Sequence, residues 1–470
     1  MPENKHYIQA ILPLHLEWEP WYWSDTELVV GQIIKVPIGR RITYAVVSST
    51  GGSPEIDSAR ISRIETADTG LPDILPSEIE FWRFIAGYYM CTTGDVFKYA
   101  YPAERFDTEL KSSKKKLSCR TEDACEPELD IESDSRPFVV CGWNRETIYE
   151  QNIKNTLKAG KDVLVLRPCA RNESLPTIRE LSRAVKSDIP TLLDGSKALL
   201  FLPFKKLGLI IVDNEHSLRY KHNQSPRFNG RDAAIALSSI HRCRIILGSG
   251  TPSLETIYNI RTGRFDSMTI TGETAGAAPV VIDVDSERRK NGMVGSRSRK
   301  LISAMEGIPE KNVLEISSLD LRKHLEGKKL EKYELVCVSD FDYLLSKNDF
   351  RADEKAFQML CELRHRCRGK LFIQTRNAAH PIFSANDSNV YCNRLLVERK
   401  DFDLPPFTRL VEIRKPAYRQ TVQSSDAPVS FGGQQTVRQY FLKRDSSLSK
   451  EKAGIRKNTA PGLIIDVDPL

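Results

Sequence analysis

Hydrophobic positions change their rhythm several times along the 470-residue chain. Near the N-terminus β-branched residues come in short runs. Val29-Val30-Gly31-Gln32-Ile33-Ile34-Lys35-Val36-Pro37 leads into Ile38-Gly39-Arg40-Arg41, and Tyr44-Ala45-Val46-Val47 follows. This predicts strands around a turn with two cations. Phe81, Phe84, Ile85, Tyr88 and Tyr89 recur at helical spacing, predicting a helix over 77–91, capped by Ser77, with an aromatic stripe facing a core. Residues 107–136 are charged, poor in large apolar groups and contain Lys111-Ser112-Ser113-Lys114-Lys115-Lys116, the pattern of a linker. Three continuous apolar runs follow: Asp162-Val163-Leu164-Val165-Leu166, Leu207-Gly208-Leu209-Ile210-Ile211-Val212 and Arg244-Ile245-Ile246-Leu247-Gly248. Buried parallel strands read this way, so an α/β unit is predicted, with ligands at the strands' carboxyl ends. A second α/β stretch is expected at about 333–376. The tail from 401 ends on the strand-like Gly462-Leu463-Ile464-Ile465-Asp466-Val467-Asp468.

Composition narrows the class. With 40% hydrophobic and 28% charged residues, a wholly disordered chain or a coiled-coil rod is excluded. The net charge is +7, which permits a nucleic-acid partner, but it is unevenly spread. Residues 1–110 carry a net of −7 and the remainder +14. Residues 286–332 carry +5, including Arg288-Arg289-Lys290 and Arg297-Ser298-Arg299-Lys300. This segment is the best local candidate for phosphate contact, with a solvated basic face as the alternative. None of the 10 cysteines forms a C-x-x-C pair, which argues against a zinc ribbon. A reducing cytoplasm is the simple reading. No run of 18 apolar residues predicts a membrane span, and the N-terminus lacks a signal peptide's layout.

The strongest chemical signal is Leu209-Ile210-Ile211-Val212-Asp213-Asn214-Glu215-His216. Strand alternation places Asp213 and Glu215 on one side of the strand's carboxyl end. In nucleotide-hydrolysing motors an Asp there holds Mg²⁺, and a following Glu polarises the attacking water. His216 can couple such a site to a second lobe. A small-residue loop, Gly248-Ser249-Gly250-Thr251-Pro252-Ser253, ends another strand. Its hydroxyls could link nucleotide state to nucleic-acid grip. The pair resembles the core of a superfamily-two helicase.

Several collinear stretches together resemble the PriA family of replication-restart helicases. They are Val36-Pro37-Ile38-Gly39-Arg40, Phe81 through Met90 to Thr93-Gly94-Asp95-Val96, and Lys197-Ala198-Leu199-Leu200-Phe201-Leu202-Pro203-Phe204 before the Asp213–His216 box. Pro226-Arg227-Phe228-Asn229-Gly230-Arg231-Asp232, Gly248 to Ser253, Asp349-Phe350-Arg351-Ala352, Glu398-Arg399-Lys400-Asp401-Phe402, Pro405-Pro406-Phe407 and Asp466-Val467-Asp468-Pro469 continue the series. The resemblance implies an N-terminal domain binding the 3′ end of a DNA strand, with Gly39 and Arg40 in its pocket and Arg60 near the family's basic pocket residue. It implies DNA contacts from Arg231, Ser249 and Thr251. It also implies ATP and Mg²⁺ as cofactors, 3′→5′ unwinding, and branched or 3′-ended DNA, primosome proteins and single-strand-binding protein as partners.

The chain departs from the family where the chemistry is densest. In place of a phosphate loop G-x-x-x-x-G-K-T it reads Cys141-Gly142-Trp143-Asn144-Arg145-Glu146-Thr147. Gly142, Arg145 and Thr147 are the nearest equivalents of that loop. The second Gly, needed for backbone N–H groups to face phosphates, and the Lys that reaches them are gone. The family's Q-x-x-G-R-A-G-R motif is Glu362-Leu363-Arg364-His365-Arg366-Cys367-Arg368-Gly369, leaving Arg366 as the candidate arginine finger. Cysteines of the family's zinc module are missing between about 306 and 333, so no zinc is expected. The winged-helix segment has shrunk to the linker.

The expected architecture is α/β: a small β-rich DNA-end-binding domain (1–106), the linker (107–136), two trimmed RecA-like helicase lobes (137–270 and 271–400), and a small α+β C-terminal domain (401–470). The expected protein is cytoplasmic, contacts no membrane, and binds DNA in replication restart. Asp213, Glu215, His216 and Arg366 would be relics of the motor. An active divergent helicase and a protein-interaction scaffold without DNA contact are the alternatives.

Overall fold

The computed structural model describes residues 5–102, 136–168, 185, 187–270, 276–327, 332–345, 349–385, 388–416 and 435–469. The linker expected at 107–136 lies outside them save for its last residue. Strands β1 (His6–Ile11), β2 (Trp21–Ser24), β3 (Ile33–Ile38), β4 (Arg41–Thr50) and β5 (Ser62–Arg63) form a sheet in the order β3-β4-β1-β2-β5. Its two edges meet, because Lys35 of β3 bridges Thr66 just beyond β5. The Tyr22 hydroxyl also donates across to the Pro37 carbonyl at 3.3 Å. The result is a small closed sheet around Ile8, Ala10, Ile34, Val36 and Val47. The run from Val29 becomes strand only at Ile33. Gly31 explains the delay: its φ is 93°, and a Cβ there would sit 2.1 Å from the Ile74 carbonyl oxygen.

Two helices follow, α1 (Pro76–Tyr89) and α2 (Thr93–Ala100). The first is capped by the Glu78 carboxylate, which accepts the Leu75 N–H at 2.9 Å, rather than by Ser77. Phe81, Ile85 and Tyr89 are buried. Much of their stripe packs away from the β-rich sheet. Phe81 meets Phe201 at 5.2 Å between ring centroids, and Tyr99 of α2 meets Phe201 and Phe228 at 5.0 and 5.4 Å. These partners belong to the next unit, so the two regions share one apolar core.

That unit is a six-stranded parallel sheet of β6 (Phe138–Cys141), β7 (Asp162–Leu166), β8 (Leu192–Gly195), β9 (Leu207–Asp213), β10 (Arg244–Ser249) and β11 (Asp266–Thr269). The order is β11-β6-β10-β9-β7-β8, with α3 (Glu146–Lys158), α4 (Gly230–His241) and α5 (Leu254–Arg261) connecting strands. The three apolar runs are the adjacent strands β7, β9 and β10, mostly buried along their lengths. A second parallel sheet follows. It contains β12 (Pro279–Asp283), β13 (Val313–Ile316), β14 (Tyr333–Val338) and β15 (Cys367–Thr375) in the order β12-β15-β14-β13. It starts well before the stretch expected at 333–376. Its outer strands β12 and β13 are only partly buried, which weakens their apolar signal. Helices α6 (Ala352–Arg366) and α7 (Ser388–Asp401) pack on it. The chain closes with an antiparallel sheet β17-β16-β18 made of β16 (Thr408–Lys415), β17 (Gln435–Lys443) and β18 (Ile464–Val467), with α8 (Leu448–Asn458). No helix among the described residues is long and apolar enough to cross a membrane.

Polar contacts tie this last sheet to the rest. Lys221, buried near α4, places its Nζ 2.7 Å from Asp466 Oδ1, 2.6 Å from the Val467 carbonyl and 2.9 Å from the Arg227 carbonyl. Tyr88 of α1 lies 4.2 Å from the Arg409 guanidinium and 5.0 Å from the Lys452 ammonium. Breaking a buried pair leaves an uncompensated charge, so Lys221→Met should cost about 3 kcal/mol in denaturant unfolding. Lys221→Met combined with Asp466→Asn should recover part of that loss. Additive losses would show that the pair is not coupled.

Candidate functional site

In the first α/β unit β10 lies between β6 and β9, so the loops leaving these three strands converge. They are the Gly142–Arg145 loop, the Asp213–His216 box and the Gly248–Ser253 loop. Gly142 adopts φ 136° and donates its N–H to the Ser249 carbonyl at 2.9 Å. A Cβ at that position would lie 2.8 Å from Ile270 Cβ, so only glycine fits this turn.

Arg145 then folds back onto the strand end. Its Nη2 lies 2.7 Å from Asp213 Oδ1 and 2.9 Å from Asn214 Oδ1, and its Nη1 donates to the Gly142 carbonyl. Tyr149, one turn into α3, donates its hydroxyl to the same Asp213 oxygen at 3.0 Å. On the other side Arg167 Nη1 stands 3.4 Å from Asp213 Oδ2 while its Nε binds Asp194 at 2.9 Å. Arg145 is 3% exposed. Burial opposes its charge, but Asp213 and Tyr149 outweigh burial and hold the guanidinium above its ordinary range. Asp213 is thus engaged by two guanidinium groups and a phenol. A divalent cation beside it would face their positive charge, so this donor set does not fit Mg²⁺.

Glu215 is equally committed. Its carboxylate accepts the Ser253 N–H at 2.7 Å, the Ser253 hydroxyl at 3.1 Å and Arg231 Nη1 at 3.0 Å. Arg231 also binds Asp232 at 2.8 Å. His216 Nδ1 lies 2.7 Å from Ser249 Oγ. Burial pushes the His216 imidazole below its ordinary pKa against the pull of Glu215. Burial, helped by Glu215, pushes the Cys141 thiol up to about 11. The expected residues Asp213, Glu215, His216, Arg145, Arg231, Ser249 and Thr251 therefore do come together. Arg231 and Ser249 point into this network; Thr251 is buried beside it and joins only through its backbone N–H, which donates to Ser249 Oγ at 3.0 Å.

The other expected residues lie elsewhere. Thr147 is exposed on the first turn of α3. Arg366 is buried in the second unit, with Nε 2.8 Å from Glu362 Oε1 and Nη2 3.0 Å from the Leu325 carbonyl. Its neighbour His365 makes the contact between units instead. The His365 ring stacks on Trp143 at 4.4 Å with 9° between planes. Trp143 also presses on the Gly248–Ser253 loop, where a Cβ on Gly250 would come within 2.5 Å of its ring. Glu354 of α6 joins the units too. It accepts the Leu254 N–H at the start of α5 at 2.9 Å and pairs with Arg399 at 2.5 Å. Tyr149, Arg167 and His365 escaped sequence reasoning. Tyr149 was findable, being four residues after Arg145 on one helix face.

In the N-terminal sheet, Gly39 (φ 57°) and Arg40 form a two-residue turn between Ile38 and Arg41. Arg40 and Arg60 are exposed. The antiparallel bridge Lys35–Thr66 and the Tyr22–Ser62 pairing bring residues just before β5 to the same end as this turn. The small sheet therefore collects both arginines at one rim.

A mixed α/β chain with a closed β-rich N-terminal sheet is the class these observations define. Residues 13–102 match the family model described as the 3′ DNA-binding domain (3′BD) of PriA. The chain is 26% identical over 319 residues to the replication restart protein PriA of Rickettsia conorii, covering 60% of this chain and 48% of that protein. It is 27% identical over 287 residues to the same protein of Helicobacter pylori (54% and 44% covered) and 31% over 198 residues to that of Haemophilus influenzae (37% and 26%). The chain is PriA-like. It spans about half the length of the first curated relatives it matches. Among solved structures, the DUF1998 helicase MrfA aligns at TM-score 0.28 and 14% identity, covering 63% of this chain and 55% of that one. That likeness is too distant to carry an argument.

Two outcomes follow from the site. Arg145→Ala should destabilise the fold by about 3 kcal/mol, and adding Asp213→Asn should restore part of the loss, a double-mutant cycle readable in denaturant. The folded-state pKa of His216 is lowered, so below about pH 6.5 the unfolded chain binds the extra proton. Stability should fall as pH drops below that value, by up to about 1.4 kcal/mol per unit from this residue. His216→Gln should make the slope shallower. An unchanged slope would show that His216 titrates alike in both states.

Proposed function

We propose that the protein is a PriA-like DNA-binding protein of replication restart that works without ATP-driven unwinding. The observation that carries the reading is Arg145, whose guanidinium engages the Asp213 carboxylate that a motor would offer to Mg²⁺. Trp143 supports it, because its indole packs on Gly250 and His365 between the two units. Glu215 is held by Ser253 and Arg231 rather than left to orient water. On this reading residues 137–270 and 271–400 are RecA-like lobes kept as a scaffold, and residues 401–470 are the shortened C-terminal domain.

DNA contact is assigned first to the rim with Gly39, Arg40 and Arg60. A pocket for one strand terminus needs few charges, which suits a domain that is acidic overall. Branched or 3′-ended DNA is the proposed ligand, in the cytoplasm, with primosome proteins or single-strand-binding protein as proposed partners.

Isothermal titration with ATP·Mg²⁺ should give no heat of binding, with or without forked DNA. DNA-stimulated hydrolysis abolished by Glu215→Gln would overturn this reading. In fluorescence anisotropy, linear DNA with a free 3′ hydroxyl should bind with a salt-dependent affinity. Arg40→Glu with Arg60→Glu should weaken that binding about tenfold.

A further inference from the structure

The second α/β unit carries an open cleft that the site above does not use. It has a volume of about 630 Å³ and is lined by Glu287, Asn291, Arg299, Lys300, Ser303 and Lys370, among others. Three pieces of chain build it. The helix Val284–Lys290 begins at Asp283, whose carboxylate accepts the Ser286 N–H at 2.8 Å. The helix Arg299–Met305 begins at Ser298, whose hydroxyl accepts the Leu301 N–H at 3.1 Å. The Ser298 N–H is in turn held by the fully buried Gln374 of β15 at 2.9 Å. Lys370 stands on β15 itself, paired in register with Leu335.

The charges in this cleft behave unlike those elsewhere. At the first site every arginine named has a carboxylate partner. Here Arg299, Lys300 and Lys370 are exposed, and none forms an ion pair among the described residues. The exposed Arg288, Arg289 and Lys290 on the first helix add further uncompensated charge. A second observation is independent of the cations. Glu287 lines the cleft yet is only 6% exposed. One carboxylate oxygen accepts the Asn291 side-chain amide at 2.9 Å, and the other, Oε1, has no hydrogen-bond partner. Its backbone is fixed, because the Glu287 carbonyl accepts the N–H groups of Asn291 and Gly292 at 2.9 and 3.0 Å. A buried carboxylate oxygen left unpaired is costly, so Glu287 gains by turning that oxygen outward to a donor in the cleft.

We propose that this cleft binds single-stranded nucleic acid, with backbone phosphates on Arg299, Lys300 and Lys370 and a base amino group donating to Glu287. The ligand must offer anions along its length and a donor between them, and a polynucleotide strand has both. A recessed carboxylate selects a single strand, since only an unstacked base can turn its edge inward. A carboxylate accepts from the cytosine amino group, and thymine has no amino group, so oligo-dC is preferred to oligo-dT. The proposal rests on the DNA-binding reading above but assigns the grip to a different place from the strand-end rim.

Closed circular single strands, which have no terminus, separate the two places. The probes are circular oligo-dC and oligo-dT, with linear oligo-dC beside them, followed by fluorescence anisotropy across a salt series. The full chain should bind the circles and prefer oligo-dC several-fold. Arg299→Ala, Lys300→Ala and Lys370→Ala together should lower affinity for the circle at least tenfold. The slope of log affinity against log salt should become shallower by about 2, from three contacts at roughly 0.7 each. Glu287→Ala should remove the preference for oligo-dC. If the full chain binds the linear strand but not the circle, or if the triple variant matches it on the circle, the cleft proposal is overturned alone. An unchanged base preference in Glu287→Ala overturns the part given to Glu287. If no strand binds at all, the DNA-binding reading falls and takes this proposal with it.

Discussion

A carboxylate at the end of a buried strand must be compensated, and much of this molecule's central architecture follows from how Asp213 is. Stripped of water, its charge needs cations or hydrogen-bond donors close by. Arg145 and Arg167 reach it from different strand ends, and Tyr149 from the helix that follows Arg145. To deliver Arg145, the loop after β6 must be short and must turn sharply at Gly142. That same turn throws Trp143 outward onto His365, so one electrostatic requirement also sets a contact between the two α/β units. The neighbouring carboxylate, Glu215, is satisfied in the same manner by a backbone N–H, a hydroxyl and Arg231. Desolvation offsets much of the Coulombic gain of such an ion-pair network, so its net stabilisation is small even though removing one partner is costly.

Much of the fold is legible in the sequence, and the reasons are local. Strands β7, β9 and β10 are central and largely buried, so they appear as unbroken apolar runs. The aromatic stripe of α1 announces a core but not which core. Periodicity records that Phe81 is buried, and it is silent on Phe201 as the partner. The outer strands β12 and β13 lie at the edges of their sheet and lose the signal. The Ser77 cap was misplaced by two positions because Pro76 opens α1 and Glu78 does the capping from inside the first turn.

The site divides in the same way. Asp213, Glu215 and His216 stand out because a strand ending in acids is conspicuous in any sequence. The meaning of Arg145 is not visible there, since a cation in a shortened loop reads equally as a phosphate ligand or as a partner for a carboxylate. Only the turn at Gly142 decides between them. Arg366 shows the converse. Its type and spacing suggest a residue that reaches across a cleft, yet the end of α6 points it into its own unit, and His365 faces outward in its stead.

The core shared by α1, α2 and the first parallel sheet bears on movement. Gly94 brings α2 so close to the β-rich sheet that a Cβ there would lie 2.1 Å from the Leu14 carbonyl oxygen. Arg456 of α8 pairs with Glu17 at 2.6 Å on the same side. Together with the Phe81–Phe201 packing, these contacts tie the N-terminal sheet to both the first parallel sheet and the C-terminal unit. Displacing that sheet as a body would mean giving up contacts on two sides at once.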